Sequence, residues 1–219
     1  MMKFAKHRAF IGDKSLALLE KKSATIIGLS SVGSVAAAVL SRSHVSLRLI
    51  DKGRVEEEDL LTSALYTPEE ITRFKAKEVK KLLEKINPEA RIKTFHEELT
   101  PKNAFLIDGD VVIDCSNNLE TNEIIQKRCK AAKLPCITVA YAGPEFLFLC
   151  SKGGYNPTKW QTQVEKLGTV KEKGLYSPLS FIAGGMAAAE ALKALLGKGL
   201  SKKPFRYDAL NGTKKEFSL

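Results

Sequence analysis

The stretch Ala24-Thr25-Ile26-Ile27-Gly28-Leu29-Ser30-Ser31-Val32-Gly33 decides the fold. Ala24 to Ile27 is a short apolar run containing β-branched residues, the composition of a buried strand. Gly28 permits a tight turn, Gly33 lets a helix pack closely on the strand, and the alanine-rich Ser34 to Ser41 continues that helix. Strand, turn and helix in this order leave free N–H groups and a positive dipole end where a phosphate can sit. Ser30 occupies the place of the usual middle glycine, adding a hydroxyl and bulk at the closest approach to a phosphate. The spacing is not that of a nucleophile elbow, which requires G-x-S-x-G, because the fifth residue is Val32. The same residues also fit a plain strand–helix turn.

Reading outward, strands and helices alternate. Residues 14–22 form a short amphipathic helix, and Val45 to Ile50 a strand with Asp51 at its carboxyl end. Glu56 to Asp59 is an acidic run that either caps a short helix or lies in a solvated loop. Thr67 caps a helical turn opened by Pro68, and Lys75 to Ile86 is a helix with Val79, Leu82, Leu83 and Ile86 on one face, stopped by Asn87-Pro88. Ala90 to Phe95, Val111 to Asp114, Cys136 to Val139 and Phe146 to Cys150 are strands, and Leu119 to Leu134 is a helix. Lys152 to Lys173 is rich in Gly, Lys and Thr, lacks clean periodicity and reads as a long loop. Pro178 opens a helix over Leu179 to Leu196, ended by Gly197 and Gly199, and the tail around Asn211-Gly212 reads as a closing hairpin. The alternation predicts one domain over residues 1–219: a doubly wound, mostly parallel Rossmann-like α/β sheet with helices on both faces and a C-terminal hairpin.

Composition narrows the class. The 219 residues are 44% hydrophobic and 27% charged, as in an ordinary globular domain with a substantial core. No apolar run reaches the roughly 18 residues of a membrane span, and the basic start, Met1 to Phe10, is followed by no apolar segment of a signal peptide. Cys115, Cys129, Cys136 and Cys150 form no C-x-x-C pair, which argues against zinc and for plain thiols in a reducing, cytoplasmic setting. The net charge of +10 fits either a lysine-rich surface or attraction to an acidic partner such as a nucleotide or RNA. His7, His44 and His96 have no obvious Ser or Cys partner, so no triad and no metal cluster is expected.

In a doubly wound sheet, ligands bind beyond the carboxyl ends of the strands, where strand order reverses. Asp51 lies about 20 residues beyond the glycines, where a carboxylate can accept both ribose hydroxyls, or it is a turn residue before Gly53. Lys75 can reach back to a phosphate as a point charge. Asp114-Cys115-Ser116-Asn117-Asn118 ends another strand; Asn117 and Asn118 can hydrogen-bond a base or cap the next helix. These residues fit a dinucleotide, as in an NAD-binding module, or ATP.

Taken in order, the pieces resemble the ThiF/MoeB/HesA family, adenylyltransferases related to ubiquitin-activating enzymes. The resemblance runs over nearly the whole chain: Ile26-Ile27-Gly28 with Gly33, Asp51 and Val55, Phe74-Lys75, Ile86-Asn87-Pro88, Asp114 to Asn118, Gly174-Leu175-Tyr176-Ser177-Pro178, Glu190-Ala191-Leu192-Lys193 and Tyr207-Asp208-Ala209-Leu210. It implies Mg-ATP-dependent adenylation of the terminal carboxylate of a small ubiquitin-like or sulfur-carrier protein, with pyrophosphate released; one relative acts on tRNA instead. It implies nucleotide contacts from Gly28, Ser30, Ser31, Gly33, Asp51, Lys75 and Asn118. It places Lys75 and Asn117 at the reacting phosphates and makes Arg8 the arginine supplied across a dimer, homomeric or formed with another family member. It lays the 152–173 segment where the carrier's tail is threaded.

The departures are specific. The family's N-L-x-R-Q reads Asp59-Leu60-Leu61-Thr62-Ser63, so Thr62 replaces a phosphate-binding arginine. In D-C-T-D-N the magnesium-binding Asp is Asn117, a neutral and poor ligand, and the arginine after the motif is Asn122. The zinc-binding CxxC pairs and a thioester cysteine are missing from the sequence. Removing preorganised charge costs about 2–4 kcal/mol of barrier per group, so the sequence predicts a slow or inactive adenylyltransferase. It leaves open a non-catalytic member that pairs with an active one.

Overall fold

The computed structural model describes residues 4–219, so the basic N-terminal segment is seen only from Phe4 onward. Its centre is one eight-stranded sheet. The strands are β1 (Ser23–Ile27), β2 (Ser46–Ile50), β3 (Ile92–Phe95), β4 (Val111–Asp114), β5 (Pro135–Ala142), β6 (Glu145–Lys152), β7 (Phe205–Asp208) and β8 (Thr213–Glu216). They lie in the order β3-β2-β1-β4-β5-β6-β7-β8. The first five are parallel, whereas β6, β7 and β8 each run antiparallel to the neighbour before them. The doubly wound sheet with a closing hairpin is thus the observed architecture.

The helices are α1 (Ala5–Ile11), α2 (Asp13–Glu20), α3 (Ser31–Leu40), α4 (Lys75–Ile86), α5 (Leu119–Ala132), α6 (Pro157–Leu167), α7 (Val170–Lys173) and α8 (Ser177–Leu195). Side chains alternate across each strand, and the alternation sorts the core into layers. Ala24 and Ile26 of β1, Val111 and Ile113 of β4, and Ile137 and Val139 of β5 pack with Val32 and Ala36 of α3, Val79 and Leu83 of α4, and Ala183 and Ala187 of α8. On the other face Ile27, Val112 and Cys136 pack with Ile125 and Cys129 of α5. Cys115, Cys129 and Cys136 are buried free thiols and Cys150 is half-buried. At the far edge β8 is exposed along its length and carries Lys214 and Lys215, charges that discourage pairing with another strand. No helix among the described residues is long and apolar enough to cross a membrane.

One expectation is overturned. The 152–173 segment is not a long loop: it holds α6 and α7. The Asn156 side chain accepts from the Lys159 N–H at 3.1 Å to cap α6, and Pro157 opens it. Trp160, Val164 and Leu167 recur at helical spacing and close over Ala140, Leu147 and Leu149. Thr169 and Glu172 form a reciprocal capping box that starts α7.

Candidate active site

The order of the strands reverses between β1 and β4, and the Gly28 turn lies at the carboxyl end of β1. Backbone packing accounts for both glycines. Gly28 has φ +82°, and a Cβ there would stand 2.5 Å from the Cys115 carbonyl oxygen. A Cβ on Gly33 would stand 1.8 Å from the Gly28 carbonyl oxygen. The turn therefore brings the start of α3 against the end of β4 and opens a crevice of about 550 Å³.

Gly28, Ser30, Asp51, Lys75, Asn117 and Asn118, six of the residues singled out from the sequence, line this crevice. Ser31 lies next door, lining a cavity of about 670 Å³ together with Thr62, Lys171 and Leu175. Ser30 and Tyr141 line both spaces. Gly33 lies beneath the turn and lines neither. Arg8 is on α1, paired with Asp13 at 2.8 Å, and also lines neither cavity.

The side chains fall into two groups. Asp51 is held rigidly at the end of β2: one carboxylate oxygen accepts from the Leu29 N–H at 2.6 Å and the other from the Gly53 N–H at 2.6 Å. It thereby fixes the glycine turn while lining the crevice. Asn117 adopts the left-handed conformation, φ 51°. Its amide is committed to the neighbouring strand, donating to the Tyr141 carbonyl and accepting from the Tyr141 N–H, each at 3.0 Å. Asn118 accepts from the Thr121 N–H at 2.9 Å and caps α5. Ser31 donates to Thr62 at 3.1 Å, and Thr62 donates onward to the Glu58 carbonyl.

Lys75 opens α4, and its ammonium lies 2.9 Å from the Asp59 carboxylate; the two side chains are 13% and 3% exposed. Asp59 also accepts from the Ser30 hydroxyl at 2.6 Å and the Glu56 N–H at 2.9 Å. The acidic run is therefore a capped 3₁₀ turn, Glu57–Asp59, with one buried carboxylate, rather than a solvated loop. Nothing in the local sequence marks Asp59 as buried; only the pairing of Glu56 with a residue three positions on hints at it.

Behind the crevice, Asp114 is buried, and burial pushes its carboxyl above the usual carboxylate range against hydrogen bonds from Asn122 and Ser116. Asn122 donates to Asp114 at 2.7 Å and accepts from the Tyr155 hydroxyl at 2.5 Å. Burial likewise pushes the Tyr155 and Tyr141 phenols up. Tyr141, which lines both cavities, is a part of the site that sequence reading missed, and Tyr155 backs it through Asn122.

A glycine turn at the switch point of a doubly wound sheet, with an acidic residue fixed at the next strand end, defines a Rossmann-like α/β protein whose crevice lies at the carboxyl ends of the strands, where ligands bind in this architecture. The ThiF family model matches residues 4–219, and the chain belongs to that family. It is 30% identical over 181 residues to the sulfur carrier protein ThiS adenylyltransferase of Escherichia coli, covering 78% of this chain and 71% of the relative. It is 28% identical over 236 residues to the E. coli molybdopterin-synthase adenylyltransferase, covering 97% and 88%. Among solved structures, E. coli MccB with ATP superposes with a TM-score of 0.83 at 15% identity, over 99% of this chain and 71% of that one, a likeness of fold.

Proposed function

We propose that the chain binds ATP in the β1–β4 crevice and activates the terminal carboxylate of a small ubiquitin-like or sulfur-carrier protein by adenylation, at a low rate. The observation that carries this reading is the convergence of Gly28, Ser30, Asp51, Lys75 and Asn118 on one cavity of about 550 Å³. That volume lies within the range of small-molecule sites, roughly 300–1,000 Å³. Asp51 would hold the ribose, the Gly28 turn and the start of α3 the phosphates, and the neighbouring cavity under α7 the carrier's tail. In the reaction a carboxylate oxygen of the carrier attacks the α-phosphorus, the bond to the bridging oxygen breaks, and pyrophosphate leaves with its electron pair.

The low rate follows from what the crevice lacks. Negative charge builds on the departing pyrophosphate, and its stabilisation requires preorganised cations or donors. Here Thr62 is neutral, Asn117 is committed to Tyr141, and Lys75 is paired with Asp59. Asn117, at the resembled magnesium position, is neutral and tied to Tyr141, Asp114 is turned into the protein, and among the described residues no group of three or more His, Cys, Asp or Glu side chains converges. No step is therefore assigned to a metal held by the chain.

The same commitments of Asn117 and Lys75 favour a second reading, a non-catalytic subunit that supports an active family member. Exchange of labelled pyrophosphate into ATP, with a carrier ending in Gly-Gly, separates the two. Slow exchange that needs the carrier supports catalysis. No exchange, together with a stable complex with an active relative, supports the partner role. Calorimetry that finds no adenine nucleotide binding overturns the catalytic reading.

A further inference from the structure

Ten net positive charges reside on this protein, yet its crevice is not basic. Among the described residues, four carboxylates, Asp51, Glu97, Glu98 and Glu120, line it against two lysines, Lys52 and Lys75, and no arginine does. Both lysines are already paired, Lys52 with Glu98 and Lys75 with Asp59. The two pairs differ in burial. The Lys52–Glu98 side chains are 64% and 65% exposed, so solvent competes with that pair and a ligand can replace it. Asp59 is 3% exposed, and its other contacts are the Ser30 hydroxyl and the Glu56 N–H. Drawing Lys75 away toward a phosphate would leave a buried carboxylate without a counter-charge, which is costly in a low-dielectric setting.

We infer that Asp59 sets the nucleotide preference of this crevice: by holding Lys75 it withdraws the buried cation that β- and γ-phosphates need, so the site takes nucleoside monophosphate ligands as well as triphosphates. The inference rests on the reading of the crevice as an adenine-nucleotide site. Lys75 lines the crevice, Asp59 lines the adjoining cavity, and their charged atoms meet between the two spaces. The pair thus forms part of the wall at the end where Ser30 begins α3, the end to which a phosphate chain is drawn by the helix dipole. Ser30 donates its proton to Asp59, so this hydroxyl too is turned away from the phosphates.

The test is calorimetry of adenosine, AMP and ATP in magnesium-free buffer, on the wild-type chain and on Asp59→Asn. Asparagine can keep the turn by accepting from the Glu56 N–H while its amide donates to the Ser30 oxygen. Wild type is expected to bind ATP no more than about threefold tighter than AMP. Asp59→Asn is expected to tighten ATP at least about tenfold, the scale of one charge-assisted hydrogen bond, and to leave adenosine within about threefold. Adding Lys75→Met to Asp59→Asn should abolish the gain, which a general loosening of the turn would not do. Wild-type binding of ATP more than about tenfold tighter than AMP overturns the inference without any variant, and so does an Asp59→Asn chain with unchanged ATP affinity. If adenosine binds neither chain, the nucleotide reading itself fails, a result distinct from a flat response to phosphate number.

Discussion

The two turns that flank the switch point are built from different materials. The Gly28–Gly33 turn after β1 is specified by backbone: two glycines without room for a Cβ, and N–H groups at the start of α3. The Asp114–Asn118 turn after β4 is specified by side chains, and nearly all of its polar groups serve the protein itself. Asp114 is bound by Ser116 and Asn122, Asn117 by the Tyr141 backbone, and Asn118 by α5. Backbone packing fixes the first turn whatever its side chains do, whereas the side chains of the second are held by hydrogen bonds that stabilise the domain itself.

The comparison can be broken most severely at Gly33. Gly33→Ala places a methyl 1.8 Å from the Gly28 carbonyl oxygen, and a loss of roughly 4 kcal/mol or more, or failure to fold, is expected in denaturant unfolding. A loss under about 1 kcal/mol would mean that the turn is soft. Asn117→Asp comes next. A carboxylate cannot donate to the Tyr141 carbonyl, so chemical denaturation should report about 2 kcal/mol of lost stability. An unchanged midpoint would show that Asn117 does not hold β5. Asp51→Ala removes the acceptor for two backbone N–H groups and the proposed ribose contact; adenosine affinity measured by calorimetry should fall about tenfold. If affinity holds while stability falls, Asp51 is structural only. Asn118→Ala should have the smallest effect on stability, about 1 kcal/mol from a lost helix cap, read from the melting temperature.

The sequence was informative where the determining interactions are local. Strand–turn–helix punctuation at Gly28 and the apolar period of Val79 and Leu83 depend on residues a few positions apart, and these elements appear where expected. Asn118 as a cap was legible for the same reason. The helix α6 was hidden because its apolar positions, Trp160, Val164 and Leu167, are diluted by lysine, threonine and glutamine; its burial depends on Ala140 and Leu147 of distant strands. Asn117 was read as a degraded ligand position, but its partner Tyr141 is 24 residues away. Lys75 lines the crevice, whereas the counter-charge that restrains it belongs to an acidic run with an exposed composition. Pairings of this kind are set by topology, which residue order alone does not display.

The Asp114–Asn122–Tyr155 chain limits what position 122 can hold. Asn122 stands where the resembled motif carries arginine, and that position is now enclosed beneath Tyr155, which itself packs on Trp160 of α6. A guanidinium in this place would have to evict the Tyr155 hydroxyl and enter a space already filled. A single substitution of Asn122 by arginine is thereby opposed: the packing of α6 works as a latch, and a guanidinium would require concerted change in two segments of the chain.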